Sequence, residues 1–412
     1  MSKVSQFKKI NSIVAAVYVV VVIFALQVIE LGQVGTIVVI PLGFFYFFIL
    51  KPGRILPILS VKPLFWYIIF FLFASFSILY SIDSDAALET QKKMLVVLLF
   101  TISVFAYALN SIKAVKVFFI ANVIVLFILI LYVLKLGVSI NSTDRLEDTI
   151  ITPNTYGYYV FTGLSSLFML YPYRQNRKQK ILYLILLVLG CIFSIMLVVA
   201  SASRGASIIT GLLIIGNVFI ISTASKKGIL KKVIVSIVFV VSTFYLSDFL
   251  NDNYLDDSYL LTRFNALEER ETPRQFHVRK ALEIGSEHPF AGVGAGNYAI
   301  IPKKIEQGSF SHNTFTEVFA NFGLFGVFIY LSILFKIGFK IRKNVKTNNK
   351  KMRVINYQIL FFFFLFLLYN TLYVVYLTTI FMHFLFVVYA NVLLIERKLK
   401  LEIKQKKYSL YG

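Results

Sequence analysis

The stretch ILYLILLVLGCIFSIMLVVA, residues 181–200, contains 20 consecutive residues without a charged side chain. A helix of about 20 mostly apolar residues is long enough to span the hydrocarbon core of a bilayer. The stretch therefore predicts a transmembrane α-helix, and it sets the scale on which the remaining sequence can be divided.

The composition shows that this stretch is one of many. Of the 412 residues, 58% are hydrophobic and 42 are Phe, and the mean hydropathy is +0.78. A soluble domain cannot cover so much apolar surface, whereas a bilayer can. We predict an all-α polytopic membrane protein with about 12 transmembrane helices and no cleavable signal peptide. The predicted spans are 10–31, 33–50, 63–82, 94–110, 114–136, 155–173, 181–200, 205–223, 231–249, 314–338, 354–372 and 375–394.

The formal net charge of +22 could indicate a nucleic-acid partner, but the placement of the charge argues against one. The Lys and Arg residues lie in short clusters between apolar runs. With the N-terminus inside, these clusters, including the tail at 396–407, all fall on the cytoplasmic side, as the positive-inside rule requires. Both termini are therefore predicted to be cytoplasmic. The single cysteine, Cys191, leaves no disulfide framework and no Cys/His metal spacing.

Residues 248–312 form a long connection that the same topology places outside the membrane. This connection holds half of the chain's 20 acidic residues and carries a net negative charge. Thr272 as N-cap, Pro273 at the first position and Gln275 at the third predict a helix that ends near Gly285. We expect a large, partly helical extracytoplasmic loop.

Arg204 lies among small residues in SASRGAS, residues 201–207, where one predicted span ends and the next begins. A charge at such a position is costly and indicates a functional residue. Its small neighbours leave room for a ligand to approach the guanidinium. The alternative is an interfacial arginine whose side chain extends to the surface.

His312 precedes the span that the capping-box spacing of Thr314 and Glu317 places near residue 314. The positive end of the helix dipole disfavours imidazolium there, so His312 is predicted to be neutral and able to act as a general base. The alternative is a polar interfacial residue without a role. The three other histidines are interpreted as surface or turn residues (His277 and His288) and as packing within the last span (His383).

Arg263 and Arg274 in the outer loop could each bind an anion through two hydrogen bonds. The alternative is that both are solvated charges that balance the loop acids. Three closely spaced glycines follow the loop helix. They do not form G-x-G-x-x-G and follow no strand, so a nucleotide site is not supported. We interpret them as a structural turn after the loop helix. These glycines are Gly292, Gly294 and Gly296.

The order of these motifs resembles that of the O-antigen ligase and O-antigen and capsular polysaccharide polymerase superfamily of bacterial envelopes. S-R-G opens a span, the outer loop contains an Arg-led helix followed by H-P-x-x-G-x-G-x-G-N, and H-N precedes a span with G-L-x-G. The resemblance covers roughly residues 190–335. Val278 departs from it, because the family commonly has Trp there. We predict N-terminal transmembrane helices in 1–180, the ligase/polymerase-like core in 181–340, and C-terminal helices with a basic tail in 341–412.

The resemblance implies a fold similar to that of GT-C-like membrane glycosyltransferases and a metal-independent, inverting glycosyl transfer without a cofactor. The donor would be a glycan on undecaprenyl diphosphate at the outer face of the bacterial inner membrane. The family's diphosphate-binding arginines correspond to Arg204, Arg274 and, less directly, Arg263, and its catalytic histidine corresponds to His312. Membrane lipid and a chain-length regulator protein are further potential partners.

Three functions remain open at this point. A polymerase would join lipid-linked repeat units to one another, and it is slightly favoured. A ligase would transfer the glycan to lipid A-core. A transporter or flippase of lipid-linked glycans would also have many spans, but it should show paired halves or charged residues at the membrane midplane.

Overall fold

The computed structural model describes residues 3–25, 38–49, 55–135, 153–173, 176–201, 203–223, 273–301, 310–345 and 350–408. Regular structure in these ranges is helical throughout, without a strand, which confirms the predicted all-α fold class. Short 3-10 turns and one π-helical segment accompany the α-helices. The α-helices are α1 (Lys3–Ala25), α2 (Ile40–Phe44), α3 (Ile55–Leu59), α4 (Lys62–Phe76), α5 (Ser84–Ala108), α6 (Ile112–Lys135), α7 (Pro153–Leu170), α8 (Arg177–Ala200), α9 (Arg204–Thr223), α10 (Pro273–Glu287), α11 (Thr314–Val345), α12 (Lys350–Leu372) and α13 (Thr379–Tyr408).

Eight helical segments in the described part of the chain are long and apolar enough to cross a membrane. They correspond to eight of the predicted spans and confirm a multi-pass membrane protein. The predicted span 155–173 is helical as α7, but it is not one of the eight, while 10–31 and 33–50 are described only in part and 231–249 lies outside the described residues. A total of twelve spans therefore stays a prediction. The eight segments are Lys62–Tyr80, Ser84–Ala108, Ile112–Val133, Ile181–Val199, Arg204–Ile221, Thr314–Asn344, Met352–Leu372 and Thr379–Glu402.

Helix α5 begins ten residues before the apolar run at 94–110 that predicted it. Asp83 caps it, because its carboxylate accepts hydrogen bonds from the backbone N–H groups of Asp85 at 2.9 Å and Ala86 at 3.0 Å. An N-cap acid satisfies backbone donors that a helix start leaves open. The polar first turns of α5 are therefore helical although they lack the hydrophobicity of a span.

Helix α10 was expected to stop near Gly285, but it continues to Glu287. A Cβ atom at Gly285 would lie 2.3 Å from Cδ1 of Phe319 on α11. The glycine therefore allows α10 to lie close to α11 and does not terminate the helix. The proposed cap residue Thr272 lies outside the described residues.

The chain divides into two compact units that interleave along the sequence. The first unit comprises Met1–Gln33, Lys113–Glu269 and Asn344–Leu365, and the second comprises Val34–Ile112, Arg270–Lys343 and Phe366–Gly412. These boundaries come from spatial contacts, whereas the three-segment division predicted above followed the motifs. That division stays a prediction.

In the first unit, α7 lies close to the helices around it. Cβ atoms at Gly163 and Gly190 would meet side-chain atoms of Leu126 on α6 and Leu167 on α7 at 2.6 Å. Small residues at such positions allow membrane helices to pack tightly. The Gln358 amide also donates to the Phe168 carbonyl oxygen at 3.0 Å, which satisfies a polar side chain that is only 1% exposed.

In the second unit, α4, α5, α11 and α13 enclose a core rich in aromatic side chains. The Phe70 ring lies 5.4 Å from Phe322, 5.7 Å from Tyr330 and 5.8 Å from Tyr376 between ring centroids. All four side chains are at most 1% exposed. Such edge-to-face and tilted pairs stabilise a core beyond the area that they bury.

Helix α11 is interrupted at Gly323, where φ is 60° and ψ is −162°. The break frees the carbonyl oxygens of Ala320 and Asn321 from the helical ladder. The connection that contains Gly292, Gly294 and Gly296 is called the glycine loop below. Its backbone N–H groups at Val293 and Gly294 donate to these two oxygens at 3.0 and 2.9 Å. The loop thus replaces two donors that the helix itself would have supplied.

The same exchange occurs on the other side of the break. The N–H groups of Leu324 and Phe325 donate to the carbonyl oxygens of Pro289 at 2.7 Å and Phe290 at 3.2 Å. Four backbone–backbone hydrogen bonds therefore join the loop to the broken helix. Because unpaired backbone groups are costly away from water, this exchange allows a membrane span to contain a break.

The loop is bound equally closely on its opposite side by the connection between α4 and α5. The Ser77 hydroxyl accepts from the Ala295 N–H at 3.0 Å. The Asn297 side chain accepts from the Asp83 N–H at 2.6 Å and donates to the Asp83 carbonyl at 3.1 Å. The loop is therefore a buried structural element of the second unit.

Candidate active site

His312 has a φ of 57°, the left-handed region that is uncommon for residues other than glycine. It has this conformation alone among the non-glycine residues that the structure describes. Strained backbone of this kind persists only where the surroundings impose it, and it is concentrated at functional sites. The neighbouring residues show how the strain is held.

Glu317, in the first turn of α11, fixes the residue before His312. Its carboxylate Oε2 accepts from the Ser311 backbone N–H at 2.8 Å and from the Ser311 hydroxyl at 3.1 Å. Glu317 is 3% exposed and Ser311 is fully buried. A buried carboxyl group that accepts two hydrogen bonds holds its partner firmly, because losing either bond would leave a buried polar group unsatisfied.

Asn313 fixes the residue after His312. Its side-chain oxygen accepts from the backbone N–H groups of Phe315 at 2.9 Å and Thr316 at 3.2 Å, so Asn313 is the N-cap of α11. The predicted start of the span near Thr314 is therefore right, but the predicted capping box is wrong. Thr314 and Glu317 form hydrogen bonds to other groups instead. His312 is therefore held between two fixed neighbours, Ser311 and Asn313.

Thr314 has a different role from the one predicted. Its hydroxyl donates to the Tyr373 carbonyl oxygen at 2.7 Å and accepts from the Val375 N–H at 2.9 Å. The start of α11 is thereby tied to the connection between α12 and α13. The Tyr373 ring in turn lies beneath the Arg274 guanidinium, 5.2 Å from the guanidinium carbon to the ring centroid. This arrangement positions the cation by a cation–π contact.

Arg274 and His312, separated by 38 residues in the sequence, are thus brought together in the second unit. The pKa of His312 is lowered to about 4, first by burial, then by the Arg274 charge and then by His277. Each cause disfavours the charged imidazolium. His312 is therefore neutral near pH 7, with a ring nitrogen able to accept a proton beside a fixed cation.

His277 was interpreted as a surface residue, and that interpretation is wrong, because it is only 4% exposed. Its ring centroid lies 6.2 Å from that of His312. The Tyr298 hydroxyl donates to the His277 carbonyl at 2.8 Å and lies 3.2 Å from Nδ1. Because the hydroxyl uses its own proton in the bond to the carbonyl, it is available as an acceptor for Nδ1–H of His277. Burial also raises the pKa of Tyr298.

Two further arginines were predicted to bind the diphosphate, and neither is described in the second unit. Arg204 begins α9 in the first unit and is half-buried, next to Ser203 and Ala206, which are buried. The Ser203 hydroxyl donates to the Asn154 side-chain oxygen at 3.3 Å. Arg263 lies outside the described residues.

The three predicted turn glycines all have positive φ, at 70° for Gly292, 97° for Gly294 and 69° for Gly296. His288 is exposed at the end of α10. His383 is fully buried in α13, where Nδ1–H donates to the Thr379 carbonyl at 2.7 Å, as expected of a packing residue.

No group of three or more His, Cys, Asp or Glu side chains is placed to hold a metal ion within the ranges that the structure covers.

Sequence reasoning missed the residues that hold His312 in place. Asn313 was recognisable as an N-cap residue type, but Thr314 beside it gave a competing capping-box signal. Tyr298 and Tyr373 carry no local signal at all, because their roles depend on contacts far apart in the chain.

The described part of the chain is thus a polytopic helical membrane protein, in which a half-buried imidazole lies within electrostatic reach of a guanidinium near one end of a span. Residues 189–331 match the family model described as O-Antigen ligase. This region includes Arg204, Arg274 and His312, and the match supports the resemblance to the O-antigen ligase and polymerase superfamily that the motifs indicated. A search of curated proteins found no match. The family supports a membrane enzyme of the glycosyltransferase type that acts on lipid-linked glycans, as a ligase or a polymerase.

Proposed function

We propose that the protein polymerises undecaprenyl-diphosphate-linked oligosaccharide units into O-antigen or capsular polysaccharide, with His312 as the general base. The observation that carries this proposal is a neutral imidazole held in a strained turn beside Arg274. The reaction would take place at the outer face of the bacterial inner membrane, with both termini in the cytoplasm. The motif resemblance and the positive-inside pattern support that placement.

In the proposed step, an acceptor sugar hydroxyl gives its proton to His312 while its oxygen attacks the anomeric carbon of the donor. The bond from that carbon to the phosphate oxygen breaks, and the diphosphate leaves with the electron pair. Attack opposite to the leaving group inverts the anomeric configuration. Positioned donors and cations that meet the growing negative charge lower the barrier, and Arg274 is placed to supply one such cation. Arg204 and Arg263 keep the diphosphate-binding role that the resemblance implies.

Two other functions are tested by the same experiment. The purified protein is incubated with synthetic undecaprenyl-diphosphate oligosaccharide, with and without lipid A-core, and the products are separated on a gel. A ladder from the lipid-linked substrate alone is expected for a polymerase. A product that needs lipid A-core would identify a ligase. Movement of the lipid across liposomes without new glycosidic bonds would contradict both and indicate a transporter.

Replacing Arg274 should weaken the donor complex. We expect Arg274→Met to raise the donor Kd about tenfold or more, because a charge-assisted contact to a phosphate contributes on the order of 1.5–3 kcal/mol. Arg279→Met, an exposed residue of the same helix that pairs with Glu283, is the matched control and should bind normally. Equal donor affinity in both variants would contradict the diphosphate role of Arg274.

The pH dependence of transfer should reflect the lowered pKa of His312. In the free enzyme we expect kcat/KM to stay constant down to about pH 5 and to fall as His312 is protonated near pH 4. The folded-state pKa lies below the unfolded value, so the unfolded state binds more protons between pH 4 and 6.5. Stability therefore rises with pH through that window and is constant above it. An acid limb of kcat/KM at pH 6.5 would contradict the lowered pKa of His312.

Two changes should move that acid limb to higher pH. A bound diphosphate brings negative charge, which favours imidazolium, so the limb of kcat should lie above that of kcat/KM. Arg274→Met removes a neighbouring cation and should shift the kcat/KM limb in the same direction. A pH profile that is identical in Arg274→Met and the unmodified protein would show that the two side chains are not electrostatically coupled.

Glu317 is a positioning residue, and its loss should lower kcat more than it changes KM. Glu317→Ala removes both bonds to Ser311, and we expect kcat to fall on the order of 10²-fold, the cost of a displacement of about 1 Å of a catalytic group. Glu317→Gln keeps an acceptor oxygen and should restore most of the rate. A purely structural role is excluded if the two variants have the same melting temperature but different kcat. Equal kcat in both variants would contradict positioning by these bonds.

A further inference from the structure

A pocket of about 570 Å³ lies in the second unit, near the C-terminal end of α11. Its walls come from the start of α4, the last turns of α11 and the middle of α13. His312 precedes the other end of α11. At 1.5 Å per residue, the roughly 16 residues from Leu324 to Lys340 alone correspond to about 24 Å of helix, and His312 lies beyond the break at Gly323, so the pocket is separate from the candidate active site. Its lining includes Lys62, Lys336, Lys340, Lys343, Phe335 and Phe339.

The pocket concentrates positive charge. Lys336, Lys340 and Lys343 follow one another at spacings of four and three residues, so they lie on the same face of α11. Lys340 pairs with Glu396 at 2.5 Å, and Glu396 also pairs with Lys400 at 3.0 Å. A carboxylate shared between two lysines cannot neutralise the pocket.

Three of the four pocket lysines have no carboxylate partner among the residues that the structure describes. These are Lys62, Lys336 and Lys343. Lysines that converge on one cavity repel one another, and an anion that contacts several of them relieves that repulsion. The charge of the pocket therefore fits an anionic ligand.

Two aromatic side chains of the pocket lining are exposed. Phe335 is 66% exposed and Phe339 is 61% exposed, and their rings stack with centroids 6.2 Å apart. Tyr389, which is 5% exposed, lines the same pocket. An anionic group bound here would lie directly beside a surface suited to acyl chains. A free inorganic anion would leave that aromatic surface unused.

We propose that this lysine pocket binds the headgroup phosphate of an anionic glycerophospholipid, whose acyl chains pack against Phe335 and Phe339. Basic pockets between transmembrane helices bind such headgroups on the cytoplasmic side of membranes, and the predicted topology places this end of α11 there. The bound lipid would hold the cytoplasmic end of α11. His312 precedes the opposite end of the same helix. This site is independent of the proposed transfer reaction.

The only tryptophan of the chain provides a local probe for this site. Trp66 lies on α4, one helical turn after Lys62, and its ring lies 5.9 Å from Phe328 on α11. The full-length protein is reconstituted in phosphatidylcholine vesicles that contain a minor fraction of brominated phosphatidylglycerol, and quenching of Trp66 fluorescence is measured. The reference sample contains the same fraction of brominated phosphatidylcholine.

We expect brominated phosphatidylglycerol to quench Trp66 with an apparent affinity at least fivefold above that of brominated phosphatidylcholine. A lysine near an anionic headgroup contributes about that factor. The variant K62Q/K336Q/K343Q should lose the preference. The charge-matched control K113Q/R353Q/R397Q changes three exposed basic residues outside the pocket and should retain it.

Three results would overturn the proposal. The first is equal quenching by the two brominated lipids in the unmodified protein. The second is an equal loss of preference in the pocket variant and the control, which would indicate a general surface potential. The third is removal of the preference by excess inorganic phosphate at constant ionic strength, which would indicate a phosphate site without lipid specificity. Melting temperatures of both triple variants show whether a lost preference reflects binding or misfolding.

Discussion

His312→Asn should lower the rate of glycosyl transfer at saturating donor about 10²–10⁴-fold while donor binding is retained. That range is the usual contribution of a general base. Asparagine is the informative substitution because it tolerates the left-handed conformation in which the His312 backbone is held. His312→Ala removes the same imidazole but adds backbone strain. Product formation is measured with the synthetic lipid-linked oligosaccharide, and donor binding is measured separately.

The matched control for this prediction is His288→Asn. His288 is exposed at the end of α10, in the same part of the second unit, so its replacement should leave the rate within about twofold, since surface substitutions away from a site have small effects. A folded His312→Asn variant with undiminished transfer would remove His312 as the base. Loss of donor binding together with rate would instead assign His312 to the donor site.

The sequence predicted those parts of the fold that depend on local periodicity and composition. Apolar runs predicted eight spans that the structure describes as helices, because hydrocarbon imposes helical structure on any such run. The start of α5 at Ser84 was missed because its polar first turns depend on the Asp83 cap and contain no apolar run. A rule based on hydropathy alone does not detect that kind of helix start.

The candidate site was predictable in its chemistry but not in its geometry. Arg274 and His312 were identifiable by residue type and by their place in ordered motifs. The left-handed conformation of His312 depends on Glu317, five residues further on. The position of Tyr373 beneath Arg274 depends on the hydrogen bond from Thr314, about 60 residues away in the sequence. Interactions between distant segments leave no periodic pattern in the sequence, so only the folded arrangement reveals them.

Gly292→Ala should destabilise the protein more than an ordinary glycine substitution. Gly292 has a φ of 70°, and a Cβ atom there would lie 2.4 Å from the Asn321 carbonyl carbon and the Phe322 nitrogen. The left-handed conformation costs alanine about 1–2 kcal/mol, and overpacking adds about 1–3 kcal/mol. The total of about 2–5 kcal/mol corresponds to a fall in melting temperature of roughly 4–20 °C, at about 2–4 °C per kcal/mol. Gly211→Ala is the control, because nothing lies within 4 Å of its added Cβ.

The same junction can be tested from its other side with Gly323→Ala. A Cβ at Gly323 would lie 2.3 Å from the Phe290 carbonyl carbon and oxygen, which are backbone atoms that cannot rotate away. Each substitution separates the glycine loop from the break in α11, so the double variant should lose less stability than the two single losses combined. Additive losses would show that the two glycines act independently. Because Asn313 and Glu317 hold His312 from the first turns of this helix, both single variants should also lose transfer activity at temperatures where they remain folded.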